Sequence, residues 1–496
     1  MTALGRRQAL LYTAAFGALL LVTAGSLSGT KAAGGLAPLL ALVAAAAATH
    51  RRLFRWETLT ALLVTTILLI PIKRYTIPGN AFNLEPYRLF LAALAAGWCT
   101  ALLVDRRVRF RKSGLEAPIV VFVFAVLGSI AVNDARIQEL GVQKEVVKTL
   151  TFFASFFILF YLIVSVVRTY GQIQGIVRVL VSCASFVALS ALVESRTHFN
   201  VFNHLHPLLP GMQYNNPALA AGLTEEYLNR SGVMRVYASS AHPIELSAVL
   251  VMVVPLAVYL AKTTGQRRWI VSILLCTLGS FATLSRTGII MLLVSGLVFL
   301  WLRPVETRRI WPYVVPAFLA VSIALPHTVG SFYSAFFPAG GLVAEQDQKN
   351  TGTDDGGRLT DIGPSLAEYS MKPLLGQGFG SRISQRLGVV NSVKTTARIL
   401  DDQWLSSLLE TGAVGVVGLL WLFVRTIRRL VRRAKADDGP EGWLATALAA
   451  SLYAFAVAML TFDAFGFIQV TILTFLLLGL ASSLVSGDGA ARAARP

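Results

Sequence analysis

The stretch WIVSILLCTLGSFATLSRTGIIMLLVSGLVFLWL, residues 269–302, decides the fold because two apolar runs meet in it at a short polar turn. A helix needs about 20 predominantly apolar residues to cross the hydrocarbon core of a bilayer, and each run approaches that length. The turn, Thr283-Leu-Ser-Arg-Thr-Gly288, has room only for a tight reversal of the chain. The stretch therefore predicts a membrane-spanning helical hairpin with Arg286 at its tip.

The same pattern recurs along the chain of 496 residues, of which 55% are hydrophobic and 14% charged, with a mean hydropathy of +0.64. A soluble domain of this length does not have such a composition. We interpret the first apolar run, from Ala9 to Val22, as a retained span and not as a cleaved signal peptide. The expected fold class is an all-α polytopic integral membrane protein with about 14 transmembrane helices.

The net charge of +18 would suggest nucleic-acid binding if it were spread over the whole surface. However, if the chain starts in the cytoplasm, most Lys and Arg residues fall in alternate connections, such as 106–112, 303–309 and 425–435. The opposite face is then electrically neutral, as the positive-inside rule predicts. We therefore expect a multi-pass protein of the cytoplasmic (inner) membrane with both termini in the cytoplasm. Membrane lipids are expected partners, and nucleic acid is not.

Two connections on the outer, extracytoplasmic face are long, and such loops in a compact protein are usually functional or disordered. The larger one lies between the eleventh and twelfth spans. A short amphipathic helix is expected in it near Pro364, with Leu366 and Met371 facing either the membrane or the core. The predicted organisation is N-terminal transmembrane helices in 1–193, a first long extracytoplasmic loop in 194–242, central transmembrane helices in 243–327, the large extracytoplasmic loop in 328–402, and a C-terminal three-helix transmembrane segment with a short cytoplasmic tail in 403–496.

Residues that commonly hold cofactors or metals form no recognisable motif in this sequence. The three cysteines lie in apolar runs with a spacing that matches no metal site. A Walker loop, a dinucleotide fingerprint and a zinc-binding helix motif are all absent from the sequence. His198, His204 and His206 cluster in the first long loop, where solvated side chains are a simpler interpretation than a metal site. We therefore expect no cofactor and no metal.

Arginines on the outer face are anomalies, since the positive-inside rule leaves that face poor in basic residues. Arg286 lies where a helix starts, so free backbone N–H groups and the positive end of the helix dipole lie beside its guanidinium. Arg235 precedes another span, and Arg358 follows two glycines in the large loop. Two or three arginines at one level could hold a lipid-linked diphosphate, because the planar guanidinium donates two parallel hydrogen bonds to phosphate. The alternatives are a snorkelling anchor for Arg286 and ordinary loop charges for the other two.

Asp401 and Asp402 are the candidate acidic groups, and they directly precede the helix expected to start near Gln403. A carboxylate at that position is often a helix cap. The functional alternative is a general base that faces the arginines and deprotonates a sugar hydroxyl. The sequence leaves both interpretations open.

Four motifs resemble, in order, those of the O-antigen ligase and O-antigen polymerase family of bacterial membrane glycosyltransferases. Each motif is weak by itself, but their order and their common membrane face are fairly specific. They are Arg235 leading to His242-Pro243, LSRTG at 284–288, Gly357-Arg358 followed by PLLGQGFG at 373–380, and DDQWL at 401–405 with LETGAVG at 409–415.

The resemblance implies an all-helical fold of the GT-C type and metal-independent transfer of a glycan from a polyprenyl-diphosphate carrier, at the outer side of the inner membrane, to a glycan or lipid acceptor. It implies that Arg286 and Arg358 engage the diphosphate, and we expect Arg235 and His242 to line the same site. Ligases of this family carry a histidine where this chain has Asp401. That difference favours a polymerase of surface polysaccharide over a ligase, while a flippase for lipid-linked oligosaccharide is the rival from another class.

Overall fold

The computed structural model describes residues 55–77, 84–104, 108–209, 211–215, 229–230, 233–309, 330, 362–382 and 400–493. Its helices, numbered among these residues only, are α1 Trp56–Leu69, α2 Pro86–Val104, α3 Glu116–Val132, α4 Asp134–Leu140, α5 Gln143–Val166, α6 Tyr170–Thr197, α7 Pro243–Thr264, α8 Arg267–Ala282, α9 Arg286–Leu302, α10 Pro304–Arg308, α11 Ile362–Met371, α12 Gln403–Ala436, α13 Pro440–Ala458 and α14 Ile468–Ala493. Short 3-10 turns cover Val201–His204, His206–Leu208 and Ala464–Gly466. Two small antiparallel pairs join β1 Tyr75–Thr76 to β2 Gln213–Tyr214, and β3 Asn229–Arg230 to β4 Val233–Met234.

The described helices confirm an all-α polytopic membrane protein. Seven of them are long and apolar enough to span a bilayer, and α3 with α4 forms an additional bent pair. Helices occupy every predicted span that falls within the described residues. The remaining predicted spans, 9–26, 33–49 and 310–327, lie outside those residues, so the total of about 14 and the place of the large loop in the span order stay predictions.

The centre of the bundle consists of α7, α13 and α14, whose residues are almost all buried. These helices are apolar around their whole circumference, which is typical of helices enclosed by other helices. By contrast, α2 leaves most of its surface exposed and lies at the edge of the bundle. The amphipathic helix expected near Pro364 is present as α11. Leu366 and Met371 are exposed there, which decides against the core as their environment.

One end of the bundle, here called the basic end, gathers the connections predicted to be cytoplasmic. The buried guanidinium of Arg303 pairs with the Asp438 carboxylate and donates to the backbone carbonyls of Ala434 (2.8 Å) and Asp437 (2.7 Å). Arg429 donates to the carbonyl of Ser113 at 2.7 Å. The connections around 113, 303 and 437 therefore lie side by side, as alternating spans require, while the side of the membrane that they face stays a prediction.

Candidate functional site

The opposite end, here called the site end, is organised by the hairpin between α13 and α14, residues 459–467, which we call the hub hairpin. Buried Gln403, the first residue of α12, donates its backbone N–H to the Met459 carbonyl at 2.8 Å. Its side-chain Oε1 accepts from the backbone N–H of Phe465 at 2.6 Å. The hydroxyls of Thr287, in α9, and Thr461 lie 2.9 Å apart. The starts of α9 and α12 are thus both fixed to the hub hairpin.

Arg235 and Arg286 come together at the tight turn between α8 and α9. The turn ends with Ser285 as the N-cap of α9, so Arg286 is the first helical residue. The Nε of buried Arg235 donates to the carbonyl of Thr283 at 3.1 Å. Two of the three arginines predicted to bind diphosphate therefore meet at this turn: Arg235 is hydrogen-bonded to it, and Arg286 follows it beside the free N–H groups of a helix start.

The backbone at this site is held in unfavourable conformations. Leu284, in the turn, has φ +51°, and Ala238, in the segment after Arg235, has φ +40°. In the described part of the chain the other non-glycine residues with positive φ, Lys73 and His198, also lie at the site end. Each such residue costs on the order of 1–3 kcal/mol and persists only where its surroundings impose it, and such residues concentrate at functional sites.

Buried carboxylates impose the conformation of residues 235–242. Glu194, near the end of α6, accepts from the backbone N–H of Ala238 at 2.9 Å. Glu245, in α7, accepts from the N–H of Ala241 at 2.9 Å and from the N–H of Gln469 at 2.8 Å. Because a buried carboxylate is tolerated only when it is hydrogen-bonded, these contacts fix the segment that carries Arg235 against α6, α7 and α14.

Arg74 is a further arginine at the site end, and the sequence reasoning missed it. It is fully buried, donates to the Ser240 carbonyl and, at 3.0 Å, to Asn203 Oδ1, and its guanidinium lies 4.5 Å from the centroid of the Tyr237 ring. Burial lowers the pKa of Arg74, against the opposing effect of Tyr237 and Glu194. The sequence could have identified Arg74, since this arginine departs from the positive-inside pattern in the same way as Arg286.

His242 is the N-cap of α7. Its Nδ1 accepts from the backbone N–H of Ile244 at 3.1 Å, and its ring centroid lies 5.2 Å from that of Phe467 in the hub hairpin. An accepting Nδ1 carries no proton, so this contact fixes the tautomer with the proton on Nε2 if the ring is neutral. The structure gives His242 a capping role at the site end, and its contact with diphosphate stays a prediction.

Asp402 is the N-cap of α12, as one of the two interpretations anticipated. Its Oδ1 accepts from the backbone N–H of Leu405 at 3.0 Å, which satisfies a free donor of the first helical turn. Asp401 precedes it and is half-buried. Both carboxylates lie next to the hub hairpin because Gln403 is bonded to it.

Arg358 and the histidine cluster of the first long loop add no ligand to this site among the described residues. Arg358 lies outside the described residues, so its approach to Arg286 stays a prediction. His204 stacks on Phe199 with ring centroids 4.5 Å apart, and His198 Nδ1 lies 2.9 Å from the Met234 sulfur. Within the described ranges, no three His, Cys, Asp or Glu residues are grouped as metal ligands.

Asp463 and Glu410 are carboxylates that the sequence argument also missed. Asp463 lies in the hub hairpin and is half-buried. Glu410, in α12, lies within electrostatic range of Asp463. Asp463 could have been identified from the sequence, because it is an acidic residue in a very short connection between two spans. Glu410 gave a weaker signal, because it falls inside an apolar run.

A surface groove of about 490 Å³ runs along α3, but its chemistry is unsuited to a diphosphate. Its lining is wholly apolar and includes Val123, Phe124, Leu127 and Gly128. Such a surface fits lipid chains.

The comparisons with known proteins agree with the motifs. A family model described as O-antigen ligase matches residues 271–420. The matched segment contains the α8–α9 turn with Arg286 and the start of α12 with Asp401 and Asp402. No curated protein matches the chain. The family-model match over less than a third of the chain, together with the polytopic helical architecture, supports the resemblance to the O-antigen ligase and polymerase family.

Proposed function

We propose that this protein transfers glycan from a polyprenyl-diphosphate carrier at the outer face of the cytoplasmic membrane. The observation that carries the proposal is the meeting of Arg235 and Arg286 at one helix start, next to the hub hairpin to which α12 and its two preceding aspartates are attached. An anion site and carboxylates at one end of a membrane bundle suit a lipid-linked anionic donor and a hydroxyl acceptor.

The anion site would act on the leaving group. Arg286 and Arg235, with Arg358 as a third ligand, bind the diphosphate through paired N–H donors, and the N–H groups at the start of α9 add their positive dipole end. Charge grows on the diphosphate oxygen as the sugar C1–O bond breaks. Donors already positioned for that charge are usually the largest single contribution to such catalysis.

The carboxylates would act on the acceptor. Asp401 or Asp402 orients or deprotonates the acceptor hydroxyl, whose oxygen attacks C1 on the face opposite the diphosphate, so the transfer inverts the anomeric configuration. Asp402 Oδ1 also accepts from the Leu405 N–H as the cap of α12. Polymerisation is favoured over ligation, since Asp401 stands where related ligases carry histidine.

The deciding experiment reconstitutes the purified protein in liposomes with polyprenyl-diphosphate glycan alone. Longer glycans on the carrier are expected and would demonstrate a polymerase. Transfer that begins only when a separate acceptor is added would demonstrate a ligase. Movement of the carrier between leaflets without any transfer would instead reveal a flippase and overturn the proposal.

The role of the arginine turn is tested by Arg286→Lys, which keeps the charge but removes the bidentate geometry. Removing one donor that stabilises a developing anion lowers kcat by about 100- to 1,000-fold, and we expect a loss in that range. Arg308→Lys, at an exposed position of the basic end, is the matched control and should transfer at the wild-type rate. Near-normal transfer by a correctly inserted Arg286→Lys protein would exclude the diphosphate role.

A further inference from the structure

The tight turn between α8 and α9 keeps its shape through contacts that both of its threonines make. Thr283 Oγ1 donates to the carbonyl of Ser280 at 2.7 Å and accepts from the backbone N–H of Ser285 at 3.3 Å. Thr287 Oγ1 lies 2.9 Å from Thr461 Oγ1 in the hub hairpin. These bonds fix the turn at both of its ends, and none of them uses the hydroxyl of Ser285.

Gly288 allows the start of α9 to pack directly against α7 and α8. The hydroxyls of Ser247, in α7, and Ser280, in α8, lie 2.9 Å apart. A Cβ at Gly288 would overlap Ser247 Oγ and would lie 2.7 Å from Ser280 Oγ. A larger residue would therefore push the first turn of α9 away from these two helices. The close packing fixes where α9 begins, and with it the positions of Ser285 and Arg286.

The hydroxyl of Ser285 is buried and has no hydrogen-bond partner in the part of the chain that the structure describes. The residue is only 2% exposed, and its Oγ is unsatisfied. A serine at an N-cap normally uses this oxygen to accept from a backbone N–H of the first helical turn, but Ser285 makes no such bond. By contrast, Thr169, His242 and Asp402 cap α6, α7 and α12 with their side chains. The start of α9 is therefore a helix N-terminus that does not engage the side chain of its own cap residue.

A buried hydroxyl without a partner is unfavourable, and such a group in a native structure calls for an explanation, such as a catalytic role or a bound ion. Ser482, in α14, is also buried without a partner, so burial alone does not identify a site. Ser285 differs from it because it adjoins half-buried Arg286 and the first-turn N–H groups of α9, which have no partner within the helix. The Nε of Arg235 donates to the carbonyl of Thr283, two residues earlier, at 3.1 Å. A hydroxyl, a helix start and two arginines therefore meet at this turn.

We propose that Ser285 binds the diphosphate of the lipid-linked donor, with its hydroxyl donating to a phosphate oxygen beside the guanidinium of Arg286. The assignment rests on the proposed glycan transfer and adds a neutral donor to the arginines. A serine hydroxyl has one O–H to donate, and a hydrogen bond to an ionised acceptor is stronger than one between neutral groups. The positive end of the α9 dipole favours the same anion. The diphosphate thereby gives the Ser285 hydroxyl the partner that the protein itself does not provide.

The test measures the affinity for polyprenyl diphosphate without a glycan, so its result does not depend on transfer. Ser285→Ala removes the donor without removing any side-chain hydrogen bond found within the protein. We expect the Kd for polyprenyl diphosphate to rise about 10- to 100-fold, the range for a hydrogen bond to a charged group. The melting temperature of the protein without ligand should stay the same or rise, because an unsatisfied buried group is lost. A purely structural cap would behave in the opposite way, with a lower melting temperature and an unchanged Kd.

Ser482→Ala is the matched control, since it removes an equally buried hydroxyl that also has no partner. Ser482 lies one helical turn before Ser486, whose Oγ accepts from Arg429 at 3.5 Å at the basic end. This variant should bind polyprenyl diphosphate with the wild-type Kd. If Ser285→Ala fails to insert, Ser285→Cys decides, because a thiol is close in size to a hydroxyl but is a weak donor. The same direction of change in Kd is expected from it.

Two results would overturn this role. A Kd within about twofold of the wild type, for Ser285→Ala or for Ser285→Cys in its place, would show that the hydroxyl does not contact the diphosphate. A rise in Kd accompanied by a marked fall in melting temperature would show that Ser285 acts only by holding the turn. Failure of the proposed function gives a different result: a wild-type protein that binds polyprenyl diphosphate but transfers no glycan in the liposome assay would reject glycan transfer and leave the anion site in place.

Discussion

The start of α12 and its break at Gly412 are two helix ends on one helix, stabilised in different ways. At the start, the side chain of the neighbouring Asp402 satisfies a free N–H of the first turn. At the break, where Gly412 has φ +66°, the backbone of residues 373–380, which we call the insert and which end about twenty residues before α12 begins, satisfies donors and acceptors together. The first solution is local and can be replaced by another capping residue. The second depends on two glycines and on the path of a whole loop.

The same difference appears in the side chains at the two ends. Asp402 caps α12 with its own Oδ1, whereas at the break Ser129 Oγ donates to the Glu410 carbonyl and Asn133 Nδ2 donates to the Gly376 carbonyl at 3.0 Å. We therefore expect substitutions at the break to destabilise the protein more than substitutions of the Asp402 cap.

Gly412→Ala is expected to have the largest effect on stability. The backbone conformation of Gly412, φ +66° and ψ −170°, is essentially restricted to glycine and costs another residue about 1–3 kcal/mol, and the clash with Leu374 adds overpacking of about 1–3 kcal/mol. We expect a loss of about 3 kcal/mol or more, seen as a large drop in the melting temperature of the detergent-solubilised protein. Gly296→Ala, at a position in α9 with open space around it, is the control and should be neutral or slightly stabilising. Equal melting of the two variants would show that the break is not tightly packed.

Gln403→Leu tests the hub hairpin, where the effect should be smaller. The substitution removes the acceptor for the Phe465 N–H and the donor to Ser407 Oγ. Leaving buried groups unsatisfied costs about 1–3 kcal/mol, so we expect a destabilisation in that range, measured by the same melting assay. Gln138→Leu, on the exposed side of α4, should stay within about 0.5 kcal/mol of the wild type. A neutral Gln403→Leu would mean that the hub hairpin holds together without this bridge.

The sequence predicted those features of the fold that depend on local composition. Apolar runs located each described spanning helix, because burial in lipid leaves a continuous signal in the chain. Membrane sidedness singled out Arg235 and Arg286, which the structure brings to one turn. The short polar residue before α12 predicted the cap at Asp402 as one of two interpretations.

Features that depend on contacts distant in sequence were not predictable in this way. The break at Gly412 falls in an apolar run that is indistinguishable by hydropathy from an unbroken span, since its cause is the insert and not its own composition. Arg74 was within reach of the sidedness argument, but its burial against Tyr237 depends on how the first long loop folds back.

Asp402→Ala should have the smallest effect on stability and tests the local side of the contrast. Loss of an N-cap oxygen typically costs about 1 kcal/mol, so we expect a modest fall in melting temperature. Asp402→Ser should restore most of it, because a serine hydroxyl can accept from the same Leu405 N–H. Asp401→Ala is the matched comparison: it should reduce glycan transfer if Asp401 orients the acceptor. A destabilisation by Asp402→Ala as large as that by Gly412→Ala would contradict the distinction between a replaceable cap and an irreplaceable backbone insert.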